Sequence, residues 1–376
     1  MIIPPDFAPG RPRRRHGLAV RLDNAGDVLL AGPAIRAIAA GCDRVTVLAG
    51  PAGAEAARLL PGVDDVLVWR APWVVLDPPP VRRPDLDALV DRLAGRRFTD
   101  AVVFTSFHQS PLPTALVLRL AGIPVIAAIS ADYPGSLLDV RHRLDEDVPE
   151  AERGLALARA AGFALPAGDD GRLAVREPLP EAGPLTGPGR YVVLHPGASA
   201  PARRWPAARW AQAAAGLAAR GRRVVLTGGA AERGLTATVA AAAGGTGPAG
   251  PPLTDLGGRT SLAELAAVLA GADAVVVANT GVAHLAAAVG TSVVSLFAPV
   301  VPAARWAPYR VPVVLLGDQS APCRGSRAVR CPVPGHPCLA GVTADQVCDA
   351  VDRLTAGTAR LLEAGMASGY PVREAR

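Results

Sequence analysis

Four short segments of this chain combine glycine, hydroxyl and charged residues as the handling of an anionic substrate requires. Residues 275–290, VVVANTGVAHLAAAVG, carry an apolar run into Asn279-Thr280-Gly281 and then a run of small residues. Such a pattern predicts a buried strand entering a helix N-terminus, where unpaired backbone N–H groups and the helix dipole hold an anion. His284 follows one turn later, so Asn279, Thr280, Gly281 and His284 become candidate phosphate ligands, against the plainer reading of His284 as a packing residue. Residues 195–206 lead from His195-Pro196-Gly197-Ala198-Ser199 to Arg203-Arg204-Trp205-Pro206. The small loop lets backbone approach phosphate, Ser199 adds a hydroxyl, and Arg203 can neutralise charge on a departing diphosphate; a solvated arginine pair is the alternative. Residues 226–232 bring Thr227, Gly228 and Glu232 to another strand end, with the carboxylate suited to ribose hydroxyls. In residues 21–30, RLDNAGDVLL, Asp27 reads equally as a helix N-cap or as a general base facing a cleft, with Asn24 nearby as a candidate acceptor contact. His108, in Phe107-His108-Gln109-Ser110, is a second candidate on the acceptor side. Arg305 and Trp306 border the donor pocket or serve packing.

The elements that would position these residues alternate as parallel sheets do. Strands are expected near 18–22, 45–49, 65–69, 101–105 and 124–129, with helices near 32–40, 52–60, 84–95 and 113–121. Residues 164–190 are dense in Pro and Gly and interrupt the pattern, which marks a linker. Alternation restarts with strands near 191–195, 223–227, 274–278 and 292–297 and helices near 206–219, 230–243, 261–270 and 281–289. The reading is an α/β protein of two doubly wound, Rossmann-like domains, 17–165 and 190–342. A last helix in 343–360 is N-capped by Thr343 and expected to pack back on the first domain. In such sheets ligands sit beyond the carboxyl ends of strands, where all four segments fall.

Composition narrows the partners. The chain has 376 residues, half of them hydrophobic, enough for two cores. A net charge of +6 favours anionic ligands, whereas aromatics at 4% and scattered arginines argue against nucleic acid. No apolar run reaches the ~18 residues of a membrane span, so a cytoplasmic protein is expected. The basic run Arg11–Arg15 is a candidate for peripheral contact with anionic lipid, or a solvated tail. Cys323, Cys331, Cys338 and Cys348 have seven, six and nine residues between them, unlike the close pairs of structural zinc sites, so no metal is expected and reduced thiols are. No GxGxxG motif follows the first strand, which counts against a nicotinamide oxidoreductase of the dehydrogenase type.

Taken together, GDVLLAGPAIRAI at 26–38, HPGAS with RRWP at 195–206, LTGGAAE at 226–232 and NTGVAHLAAAVGTSVVSLFAP at 279–299 resemble glycosyltransferase family 9, the heptosyltransferases of lipopolysaccharide core assembly. The resemblance implies a GT-B fold, with two domains facing across a cleft, acceptor on the N-terminal side and sugar nucleotide mainly on the C-terminal side. It implies inverting transfer from a nucleotide-sugar donor, ADP-heptose foremost, to a glycan, glycolipid or small glycoside acceptor, with no metal or other cofactor. By position Asp27 matches the base, and Arg203 and Ser199 match contacts to the diphosphate. Glu232 matches the ribose carboxylate, and Thr280, Gly281 and His284 match the phosphate-binding turn. Arg203 stands where the family commonly has Lys, and Asn279 where many members have Asp. The alternatives are a GT-B-like sugar-nucleotide epimerase and a non-catalytic sugar-nucleotide-binding protein.

Overall fold

Runs such as Tyr191–His195 and Ala274–Ala278 are apolar on both faces and entirely buried, as strands covered by helices on both sides must be. The computed structural model describes residues 14–75, 77–144, 147–244 and 253–367, with side chains as far as 356. Its first sheet contains β1 (His16–Arg21), β2 (Arg44–Ala49), β3 (Asp65–Val68), β4 (Asp100–Val103), β5 (Val125–Ile129) and β6 (Val140–His142). The second contains β7 (Tyr191–His195), β8 (Arg223–Leu226), β9 (Leu253–Asp255), β10 (Ala274–Ala278), β11 (Val293–Leu296) and β12 (Val313–Leu316). The orders are β3-β2-β1-β4-β5-β6 and β12-β11-β10-β7-β8-β9, every neighbour parallel. Each sheet is wound outward in both directions from one central pair, β1/β4 or β7/β10. The chain reverses there, and a crevice opens at the carboxyl ends of the pair.

Several elements escaped the sequence pattern: the helices Ala25–Leu30 and Glu150–Ala160, and the strands β6, β9 and β12. The strands lie at or beside sheet edges and are only partly buried, so they lack an unbroken apolar run. Glu150–Ala160 buries Ala151, Leu155, Leu157 and Ala158 and packs against Gly32–Gly41. The linker is fastened to the first domain, where Arg36 donates through Nε to Asp169 Oδ2 at 2.6 Å.

The C-terminal helix Ala344–Ala367 corrects one expectation. Thr343 does cap it, its Oγ1 accepting from Gln346 N at 3.2 Å while Gln346 Oε1 accepts from Thr343 N at 2.9 Å. Its apolar face, however, including Val347, Cys348, Ala350 and Val351, joins the core around β10, β11, β12 and the helix Ala207–Ala219. The described side chains therefore cover the second sheet, because the apolar stripe finds its matching surface beside its own domain.

The two domains meet where Ala25–Leu30 packs on Gly281–Ala288, so that Val28 and Leu29 share one apolar cluster with Ala283 and Leu285. Each helix presents a first-turn glycine at the contact. A Cβ on Gly26 would lie 2.9 Å from Gly281 Cα and 3.0 Å from His284 Cδ2. None of the helices among the described residues is long and apolar enough to cross a membrane. Of the basic run, residues 11–13 lie outside the described residues; Arg15 is tied to Asp100 at 2.9 Å and stacks over Phe163 at 4.9 Å.

Candidate active site

The turn after β1 brings Asp23, Asn24 and Asp27 to the crevice of the first domain. Asn24 holds the N-cap position of Ala25–Leu30, is exposed, and makes no side-chain cap bond. Asp27 lies inside the first turn, where a negative charge is favoured by the helix dipole, so the capping reading of Asp27 does not hold. Its Oδ1 accepts from Arg21 Nη2 at 3.0 Å, and its Oδ2 has no partner among the described residues. Sequence reading passed over Arg21, although an arginine closing an otherwise apolar strand signals a buried charge. Its guanidinium also reaches Asp23 at 2.9 Å and Glu150 at 4.0 Å, and it is held charged against burial by Asp23, Asp27 and Glu150. Burial pushes the Asp23 and Glu150 carboxyls up, with Arg21 opposing in both cases.

On the opposite wall, Arg203 sits in the turn Pro201–Arg203, its Nη1 donating to the carbonyl of Asn279 at 3.2 Å. Its Nε is buried without a partner, and no carboxylate forms an ion pair with it among the described residues. Burial pushes its pKa down while the charge of Asp27 pulls it up, which places the two groups in electrostatic reach across the cleft. Arg204 turns outward and braces the Ala198 carbonyl at 2.9 Å. Thr280 occupies the N-cap position of Gly281–Ala288 without capping it, and its Oγ1 has no partner. An open pocket of about 190 Å³ is lined by Ala25, Leu29, Gly197, Ser199, Glu232, Thr280 and Gly281, which brings together all four segments singled out in the sequence. Glu232 Oε2 accepts from Gly229 N at 2.8 Å and lies 3.8 Å from His195 Nε2. Its carboxylate lies where a Cβ on Gly197 would be, 1.9 Å from Oε1, so only glycine admits it there.

Two candidate donor ligands turn away from this pocket. Thr227 is fully buried, its Oγ1 3.0 Å from His195 Nδ1, so it holds the histidine under the loop. Asn279 is buried with Nδ2 donating to Ala298 O and Oδ1 accepting from Ala298 N, both at 3.4 Å. The amide donates and accepts there at once, which an ionised carboxylate cannot do, and this gives asparagine a structural reason; its backbone carbonyl, not its side chain, serves the site by holding Arg203. Gly228 is buried with a Cβ position 3.0 Å from Thr236 Cγ2, so it serves close packing beneath Glu232. His284 is buried against Gly26, its Nδ1 lacks a partner, and burial lowers its pKa to about 4, so it stays neutral.

His108 stands at the mouth of the first crevice, its pKa lowered by burial and by Arg327, with Asp27 pulling the other way. Arg305 and Trp306 border the first domain: Arg305 pairs with Asp147, lies 3.8 Å from Glu150 Oε1 and stacks 4.6 Å over Phe107, whose ring also meets Trp306 at 5.5 Å. Cys323, Cys338 and Cys348 lie in the second core, their thiols free, and burial pushes Cys338 up to about 12. Among the described residues no three His, Cys, Asp or Glu side chains gather as a metal site.

Two doubly wound parallel sheets meeting at a cleft are the architecture of the GT-B class of glycosyltransferases. The model of glycosyltransferase family 9 (heptosyltransferase) matches residues 91–333, and the chain belongs to that family. Lipopolysaccharide heptosyltransferase 1 of Pseudomonas aeruginosa is 32% identical over 301 residues, covering 73% of this chain and 81% of that protein. The solved structure of E. coli ADP-heptose lipopolysaccharide heptosyltransferase II has a TM-score of 0.70 at 20% identity, covering 92% of this chain and 99% of that one. An E. coli heptosyltransferase solved with ADP gives a TM-score of 0.64 at 21% identity, again covering 92% and 99%. The protein is a glycosyltransferase with the GT-B fold.

Proposed function

We propose that the cleft moves a heptose from ADP-heptose to a hydroxyl of a lipopolysaccharide-type glycan or glycolipid, with inversion at the anomeric carbon and without a metal ion. The observation that carries this reading is Arg203, a half-buried guanidinium whose Nε is buried without a partner and which has no carboxylate partner among the described residues, set beside the free Thr280 hydroxyl and a helix N-terminus and facing Asp27 across the domain contact. A half-buried cation of this kind is stabilised by a ligand anion, and a diphosphate supplies it. The names of the related proteins, a lipopolysaccharide heptosyltransferase and an enzyme solved with ADP, support ADP-heptose as donor.

In the proposed step Asp27 Oδ2 takes the proton of the acceptor hydroxyl while its oxygen attacks the anomeric carbon from the face opposite the diphosphate. The carbon–oxygen bond to the β-phosphate breaks, its electron pair leaves with ADP, and Arg203, Ser199 and the N–H groups at Gly281 stabilise that charge. Glu232 receives the ribose hydroxyls, and Asn24 and His108 border the acceptor. With cationic and helix-dipole stabilisation in place, the step needs no divalent ion. We place the reaction on the cytoplasmic side, where a net charge of +6 favours an anionic glycolipid surface.

Thermal unfolding with ADP, GDP, UDP and dTDP, each with and without EDTA, tests the donor side. ADP at a hundred times its dissociation constant stabilises the folded state by about 2.7 kcal/mol, and the shift is indifferent to EDTA. Stabilisation lost on chelation, or given by another nucleotide alone, overturns the metal-independent ADP reading.

A further inference from the structure

Asp27 does not stand alone at the crevice. Arg21 closes β1 with its side chain 5% exposed, and its planar guanidinium meets four side chains at once. Nη2 donates to Asp27 Oδ1 at 3.0 Å and to Ser106 Oγ at 2.9 Å. Nε pairs with Asp23 Oδ2 at 2.9 Å, and Nη1 lies 4.0 Å from Glu150 Oε2. Asp23 is in turn fixed by Gln109, whose Nε2 donates to its Oδ1 at 2.6 Å. The arginine is therefore held from the turn after β1, from the helix Ala25–Leu30, from the loop after β4 and from the helix Glu150–Ala160, and one Asp27 oxygen is fixed while the other stays free.

We propose that Arg21 is the positioning residue of the base: it anchors Asp27 through Oδ1, presents Oδ2 to the acceptor hydroxyl, and supplies the positive charge that lets three clustered carboxylates coexist. The proposal rests on the reading of Asp27 as base. The charged and titratable groups around Asp27 are Arg21, Asp23, Glu150 and Arg153 on its own domain, Arg153 lining the same pocket without an ion pair to Asp27 among the described residues, His108 at the mouth, and Arg203 and His284 from the opposite wall. His284 is neutral, and Arg203 makes no ion pair with Asp27, so Arg21 is the cation in direct contact. Removing it leaves Asp27 beside Asp23 and Glu150 with no cation in contact, a setting that favours the protonated acid.

The test compares Arg21→Met and Arg21→Lys with wild type by carboxyl NMR titration of protein labelled at aspartate Cγ, the Asp27 signal being assigned with Asp27→Asn. Turnover of ADP-heptose and calorimetric ADP affinity are measured on the same proteins. In R21M the Asp27 midpoint rises by at least about one pH unit and kcat falls about 10²-fold, with ADP affinity within about twofold. R21K, which restores a point charge without the planar fork, gives intermediate values. If R21M does not fold, R21K decides through the same two shifts. An Asp27 midpoint unmoved in the folded variants, or a kcat within about twofold of wild type, overturns the proposal. Wild-type turnover in Asp27→Asn defeats the base assignment instead, a distinct outcome.

Discussion

Arg203 and Asn279 both stand at turns beside the donor pocket, and the spacing of the motifs treated them alike. Arg203 keeps an unpartnered buried Nε, whereas both side-chain atoms of Asn279 are engaged by Ala298. Replacing Arg203 with Ala is expected to weaken ADP binding by about 1.5–3 kcal/mol, the worth of a hydrogen bond to a charged group, with little change in melting temperature. Replacing Asn279 with Ala is expected to lower stability by about 1–3 kcal/mol, through two buried backbone groups left unpaired, while ADP affinity measured on the folded protein stays near wild type. Calorimetry and denaturant melts on both variants check this; a large affinity loss in N279A would put its side chain back on the donor. Legibility at this scale follows from exposure to the cleft. Ser199, Glu232 and Thr280, each after an apolar strand, line the same pocket. The inward turn of Thr227 and Asn279 was not legible, since sequence spacing carries no information on which way a side chain points at a strand end.

At the scale of elements, the contact between Ala25–Leu30 and Gly281–Ala288 fixes how Asp27, the proposed base, and the pocket at Thr280 face each other. Gly26 precedes Asp27 and Gly281 follows Thr280, so any separation of the helices is passed directly to the reacting groups. Gly26→Ala places a methyl 2.9 Å from backbone that cannot rotate aside, and turnover is expected to fall about 10²-fold, the usual effect of a displacement near 1 Å. Gly234→Ala, with nothing within 4 Å of its Cβ, serves as the control and leaves turnover unchanged. Equal turnover in the two variants would show that the glycine contact does not set the geometry. The short Ala25–Leu30 helix was hidden because its six residues are too few to show a helical repeat. Glu150–Ala160 was missed for another reason: it buries Glu150 and Arg153 along with its apolar residues, which blurs the stripe that marks a helix.

For the whole molecule, charge and burial at the domain contact link stability to pH. His284 has a folded-state pKa of about 4, well below the ordinary 6.5, because burial disfavours its charged form. Between those values the unfolded chain binds a proton that the folded chain refuses. The contribution is therefore absent above pH 6.5, and stability falls as pH drops toward 4. His195 is lowered by burial in the same direction, while the raised carboxyls of Asp23 and Glu150 act oppositely, so a difference measurement isolates the effect. Wild type is expected to lose up to about 3 kcal/mol relative to His284→Asn across that window, read from denaturant midpoints; parallel curves would mean that His284 is not shielded. The two-domain architecture was legible throughout, since both sheets announce their inner strands as apolar runs of fixed spacing. The contact that brings the domains together was not, because small residues on two distant helices meet only once both sheets are folded. What that contact achieves is tested most directly by ADP release from ADP-heptose in the presence of an inner-core lipopolysaccharide acceptor and EDTA, comparing wild type with Asp27→Asn. Transfer by wild type with a 10²–10⁴-fold lower kcat and nearly unchanged ADP affinity in D27N is the expected result. A D27N enzyme as fast as wild type would contradict the assignment of Asp27 as the group that takes the acceptor's proton.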